Sequence, residues 1–125
     1  MGKLTFRKEE RLSREKWIRE LFEKGRSLQF YPFRVIWLKH PDSQYPFNQV
    51  LISVSSRIFK NAADRNTIKR RVREAFRLNK SSIRTAGKWL IAYIYIAREI
   101  LPSSLIHQKL SQTLEKLNTV HEQKN

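Results

Sequence analysis

The sequence predicts an α+β domain in which helices pack on one sheet, in the order α-β-β-α-β-α. Three observations predict it. Phe33 to His40, Gln49 to Ser55 and Trp89 to Ala97 are short runs rich in β-branched and aromatic residues, the mark of strands. Segments near Arg14 to Lys24, Asp64 to Lys80 and after Pro102 carry apolar residues at helical spacing. The chain has 125 residues, 40% of them hydrophobic, which is enough for one modest core and one domain.

The first helix is expected from Arg14 to Lys24, with Ser13 as its N-cap and Gly25 at its C-terminal stop. Leu12 and Trp17 then stand as a hydrophobic staple. Trp17, Ile18, Leu21 and Phe22 share one face. In the strand after Pro32, Phe33, Val35 and Trp37 point one way and Arg34, Ile36 and Leu38 the other. The stretch His40 to Asn48 reads as a loop, and a further short strand is expected near Leu28 to Tyr31 or within this loop. Trp89 to Ala97 is apolar on both faces, so it belongs in the middle of the sheet. Ile68, Val72, Ala75 and Phe76 form the buried stripe of the second helix, which Asp64 caps. Ile106, Leu110, Leu114 and Leu117 do the same for the last. One domain over 1–118 is expected, with 119–125 as a disordered tail.

Charge separates the possible functions. The chain holds 26 Lys and Arg against 11 Asp and Glu, for a formal net charge of +15. Residues 57–88 alone contain 11 basic and 2 acidic side chains, so the middle of the chain carries the strongest field. In the second helix Asn66, Lys69, Arg70, Arg73, Arg77 and Lys80 gather on one face, Arg65 lies at its edge, and Arg71 stands apart. Like charges at helical spacing repel. Phosphates that release counterions on binding are the ligand that repays this repulsion, and the arginine fork grips them in two places. Aromatics beside basic residues around Phe30 to Trp37 suit either a stacking platform or, as is more common for strand aromatics, the core.

Other chemistries find no footing. The chain has no cysteine, which excludes disulfides, thiolate catalysis and Cys-bound zinc. His40, His107 and His121 are scattered without a partnering carboxylate and read as surface or packing residues. The acidic residues form no cluster suited to a two-metal nuclease, and the 3 glycines are too dispersed for a phosphate loop. No apolar run reaches membrane-spanning length and no secretory leader is visible, so a soluble cytoplasmic protein is expected.

The segment SVSSRIFKNAADRNTIKRRVREAFR resembles the signature of the bacterial ribonuclease P protein component. Ser53, Val54, Ser55 and Arg57 match its strand end and Ala62 its alanine. Arg65, Asn66, Lys69, Arg70, Arg73 and Phe76 match its helix. Thr67 stands at the third position of the family's Arg-Asn-Arg triplet, where an arginine is usual. RLSREKWIRELFEKGRSL and KWLIAYIYIARE also resemble the family's opening helix and late central strand, so the likeness covers Leu4 to Leu117.

The resemblance implies an α-β sandwich whose mostly antiparallel sheet contains a left-handed βαβ crossover, a fold shared with a domain of a small-subunit ribosomal protein. It further implies a subunit, one per RNA, that assists a catalytic RNA in Mg²⁺-dependent removal of the 5′ leader from precursor tRNA. The RNA holds the Mg²⁺ and the catalytic groups. Arg57, Lys60, Arg65, Asn66, Lys69, Arg70, Arg73 and Arg77 are then the RNA-binding surface. Ile18, Phe22, Phe33 and Ile36 are the cleft for the single-stranded leader. A general RNA-binding or ribosomal protein without a role in cleavage is the alternative that the same charge and size allow.

Overall fold

Alternation along the strands sorts the apolar side chains into two sets, and each set buries against different helices. The computed structural model describes residues 5–123. A short helical turn, Lys8–Glu10, precedes α1 (Glu15–Lys24), β1 (Arg26–Phe30), β2 (Phe33–Lys39) and β3 (Gln49–Val54). Then come α2 (Ala62–Asn79), a turn at Lys80–Ser82, β4 (Trp89–Tyr95) and α3 (Ser103–Gln123). The sheet order is β1-β2-β4-β3. β1 pairs with β2 and β2 with β4, both antiparallel, while β3 runs parallel to β4. A parallel pair needs a long crossover, and α2 supplies it.

Phe33, Val35 and Trp37 of β2 join Ile91, Tyr93 and Tyr95 of β4 on the face covered by α2 and α3. The helices bring Ile68, Val72, Ala75 and Phe76 together with Ile106, Leu110, Leu114 and Leu117. On the opposite face Ile36, Leu90 and Ala92 meet Leu12, Trp17 and Leu21. Among the described residues α1 is the one helix on that side, joined by Leu12 before it and Tyr45 from the loop, so the sheet there is partly roofed.

Several local expectations are corrected. The N-cap of α1 is Arg14 rather than Ser13, with no side-chain cap bond. Asn61 rather than Asp64 caps α2, its side chain accepting the Ala63 N–H at 2.8 Å. Asp64 instead sits in the first turn, where its charge favours the helix dipole. Gly25 ends α1 with an ordinary φ of −71°. Its reason is space: a Cβ would lie 2.8 Å from Ile36 Cγ2 and press on the Leu21 carbonyl. The short strand expected near Leu28 is β1. α3 continues past Asn118 to Gln123, so the helix takes in 119–123 where a tail is expected, with Asn118 buried and bonded to Arg84 N–H and the Ser82 carbonyl. Residues 124–125 of that tail lie outside the described residues. No helix among the described residues is long and apolar enough to cross a membrane.

A cationic groove beside a half-covered sheet

The segment before α1 is laid against the free edge of β3. Leu12 N–H donates to the Val50 carbonyl at 2.9 Å and Arg11 forms a parallel bridge with Val50. Glu10 anchors this strap from below. It is 5% exposed, accepts the Arg7 N–H at 2.6 Å, and pairs with Lys80 Nζ at 2.6 Å. Lys80 also donates to the Thr5 carbonyl. The charge that the helical wheel places on the cationic side of α2 thus serves the fold at Lys80.

With the strap in place, Arg11 faces Lys69 and Arg73 of α2. The three line a groove of about 220 Å³ with Phe6, Leu12, Ser13, Val50, Leu51 and Ile52. No acidic residue lines it, and none of the three cations has a carboxylate partner among the described residues. Partial burial and then the charge of Arg11 push the Arg73 pKa below the usual arginine value. The guanidinium remains charged at neutral pH, but its charge is uncompensated. Arg11 carries no helical or strand signal of its own. Its proximity to Val50 was the missing link, and a single sequence does not display that pairing.

The remaining expected RNA-binding residues fall into two other places. Arg57 and Lys60 are exposed in the loop between β3 and α2. Arg65 closes that loop, donating from Nη1 to the Phe59 carbonyl at 2.7 Å and the Lys60 carbonyl at 3.1 Å. Asn66 is exposed. Thr67 turns its hydroxyl back to the Ala63 carbonyl at 3.0 Å. Arg70 lies on the other flank of α2, at a cleft shared with Ser103, Ser104 and His107 of α3. Arg77 binds Glu74 through Nη2 at 2.5 Å and Nε at 3.1 Å, so part of its charge is spent locally. That bond lowers the Glu74 pKa and raises that of Arg77.

The partly roofed sheet face adjoins the groove through Leu51, which belongs to both. Along it, the register sets Arg34, Ile94 and Ser53 side by side across β2, β4 and β3. Ile18 is partly buried at the rim of α1 and Phe22 is 46% exposed. Ile36 lies beneath the helix at 8% exposure. Phe33 does not belong with them. It is fully buried on the opposite face, edge-on to Tyr93 at 5.2 Å and to Tyr95 at 6.2 Å. Its odd position in β2 sends it there, as the alternation required, so it lines no cleft on the α1 side.

His40 is also placed by packing. It is buried, with its ring stacked on Tyr45 at 4.6 Å and edge-on to Trp17 at 4.5 Å. Burial lowers its pKa from 6.5, against smaller opposing contributions from Gln49 and Asp42. Above pH 6.5 the ring is neutral both folded and unfolded, so stability there does not depend on it. As pH falls below 6.5 the unfolded chain takes up the proton first, and stability declines until the folded value is reached. The Tm is therefore expected to fall as pH drops below 6.5, and His40→Gln removes that part of the fall. A His40→Gln melting profile as steep as the wild type over this interval contradicts the assignment. Glu74 contributes separately and lower, because its pKa lies below 4.5.

Taken together, these residues make a basic α+β domain whose cation-lined sheet edge has the charge that suits a polyanion. Cations converge at one sheet edge, an open apolar and polar strip runs beside them, and no group of three metal-ligating side chains occurs among the described residues. Residues 6–118 match the family model described as Ribonuclease P. The chain belongs to that family. The ribonuclease P protein component of Chlorobium phaeobacteroides is 32% identical, over 90% of this chain and 88% of that protein. The component from Porphyromonas gingivalis is 38% identical over 73 residues, which cover 58% of this chain and only 53% of the relative's length. Among solved structures, the RNase P protein from Thermotoga maritima superposes with a TM-score of 0.70 at 28% identity, over 86% of this chain and 96% of that one. A Staphylococcus aureus RNase P protein mutant, described as defective in mRNA degradation, gives 0.73 at 25% identity over 86% and 87%.

Proposed function

We propose that this chain is the protein subunit of a ribonuclease P ribonucleoprotein, one copy per RNA, acting in the cytoplasm on precursor tRNA. The observation that carries the reading is the uncompensated trio Arg11, Lys69 and Arg73 at the edge of β3, in a member of this family. Phosphates of the catalytic RNA neutralise these cations, and Arg57, Lys60, Asn66 and Arg70 extend the contact along both flanks of α2. Counterion release then supplies much of the affinity. The strip beside α1 takes the single-stranded 5′ leader. Phe22 offers a face for a base, Ile18 and Ile94 an apolar floor, and Arg34 a phosphate contact.

Mg²⁺ belongs to the RNA in this reading. The described residues hold no group of three His, Cys, Asp or Glu side chains that would ligate it. What the chain does is bind, align the leader and reduce repulsion between two polyanions.

Phe22 tests the leader strip. Its exposure means that Phe22→Ala changes stability by no more than about 0.5 kcal/mol. Loss of one base–aromatic stack costs about 1–3 kcal/mol, so affinity for precursor tRNA with a leader should drop roughly 5- to 150-fold. Affinity for mature tRNA should not change. Equal effects on both substrates would remove Phe22 from the leader site, and leader-independent binding by the wild type would favour a general RNA-binding protein.

A further inference from the structure

His40 lies outside the cationic groove, yet its hydrogen bonds lead to it. Nδ1 accepts the Asp42 N–H at 3.1 Å, and Nε2 lies 3.1 Å from Gln49 Oε1. The Gln49 amide has its direction fixed elsewhere: Nε2 donates to the Glu9 carbonyl and to Tyr45 Oη, each at 3.0 Å. Oε1 therefore faces His40 as an acceptor, and the imidazole must be neutral with its proton on Nε2. Tyr45, stacked on the ring, donates its hydroxyl to the same Glu9 carbonyl at 2.9 Å. One buried imidazole thus orients an amide and a phenol that both grip the strap, two residues before Arg11.

We propose that His40 is a positioning residue for the RNA groove: through Gln49 and Tyr45 it holds the strap so that Arg11 stands beside Lys69 and Arg73. This rests on the reading of that groove as a phosphate site. The charged and titratable groups around the hub are Asp42 and Tyr45 in the loop and Glu9, Arg11 and Arg14 before and at the start of α1. Arg14 lies over the Trp17 ring at 4.7 Å, so its charge is directed at the indole and not at the imidazole. Without the hub, the strap keeps the Leu12 N–H bond to Val50 and the Glu10–Lys80 pair beside Arg11, but it loses the grip of Gln49 and Tyr45 on Glu9 and that of Gln49 on the Arg11 carbonyl at 3.4 Å. One phosphate contact is then lost although no residue that touches RNA has been changed.

The test is a thermodynamic cycle with ribonuclease P RNA from the source organism, measured over a salt series well below each variant's melting transition. Arg11→Ala is expected to flatten the log K against log salt slope by about 0.7–0.9, the share of one phosphate. His40→Ala should flatten it equally, and the double variant no more than either one. His40→Gln should restore the wild-type slope, because its amide can accept from Asp42 and donate to Gln49. If His40→Ala does not fold, Tyr45→Phe, which keeps the ring and loses only the hydroxyl, enters the same cycle in its place. A wild-type slope for His40→Ala, additive slopes in the double variant, or a His40→Gln slope as low as that of His40→Ala overturns the positioning role. If Arg11→Ala, Lys69→Ala and Arg73→Ala all leave the slope unchanged, the groove reading itself fails instead.

Discussion

Replacing Lys69, Arg70 and Arg73 together with Ala is expected to lower RNA affinity by roughly two to three orders of magnitude at about 0.1 M salt. The figure follows from three phosphate contacts at about 0.7–0.9 of slope each, so the log–log salt dependence should flatten by about 2–3. The fold should survive. None of the three has a carboxylate partner among the described residues, and Ala is the strongest helix former. Removing like charges from adjacent turns also relieves repulsion, so the Tm should hold or rise slightly. Arg77→Ala is the internal control: bound to Glu74, Arg77 has less charge to give, and its loss should cost the RNA less. A salt-binding assay on the triple variant decides the matter. Unchanged slope and affinity would mean that this face of α2 does not meet RNA.

Phe33→Ala is expected to cost about 3–5 kcal/mol of stability and to lower the Tm by roughly 10–25 °C. The ring has no exposed surface and is held edge-on by Tyr93 and Tyr95, so a cavity opens between β2 and the helices. Tyr93 is itself tied to Thr113 of α3 at 2.7 Å, which limits how far the neighbours can close in. Urea denaturation of Phe33→Ala and Phe22→Ala side by side separates the two phenylalanines. Phe33 should act on folding and Phe22 on leader binding. A Phe33→Ala protein as stable as the wild type with impaired leader binding would reverse that assignment.

The two phenylalanines also show how far the sequence reaches. Alternation in Phe33-Arg34-Val35-Ile36 already put Phe33 and Ile36 on opposite faces, and only the likeness to a family cleft grouped them. Local rules located the strands, the buried stripe of α2 and the central β4 because each rests on near-neighbour spacing. They failed where a contact is made across the chain. The strap has no periodicity; its path is set by the Leu12–Val50 bond and by Glu10 meeting Lys80. Lys80 looked like one more cation on the wheel, and Arg11 like one more basic residue before a helix. His40 is a packing residue, but its partners lie within the following loop, Tyr45, and at the start of β3, Gln49, beyond the reach of near-neighbour rules. The cap of α2 slipped from Asp64 to Asn61 because both are good caps and only the turn geometry chooses between them.

The most direct measurement of the central claim is a reconstitution. This protein is combined with the ribonuclease P RNA of its source organism and a precursor tRNA bearing a 5′ leader, at limiting Mg²⁺, and the cleaved leader is sized. The account predicts cleavage at the mature 5′ end that depends on the protein and that the Lys69, Arg70 and Arg73 triple variant fails to support at moderate salt. RNA bound by the protein with no gain in correct cleavage would contradict it.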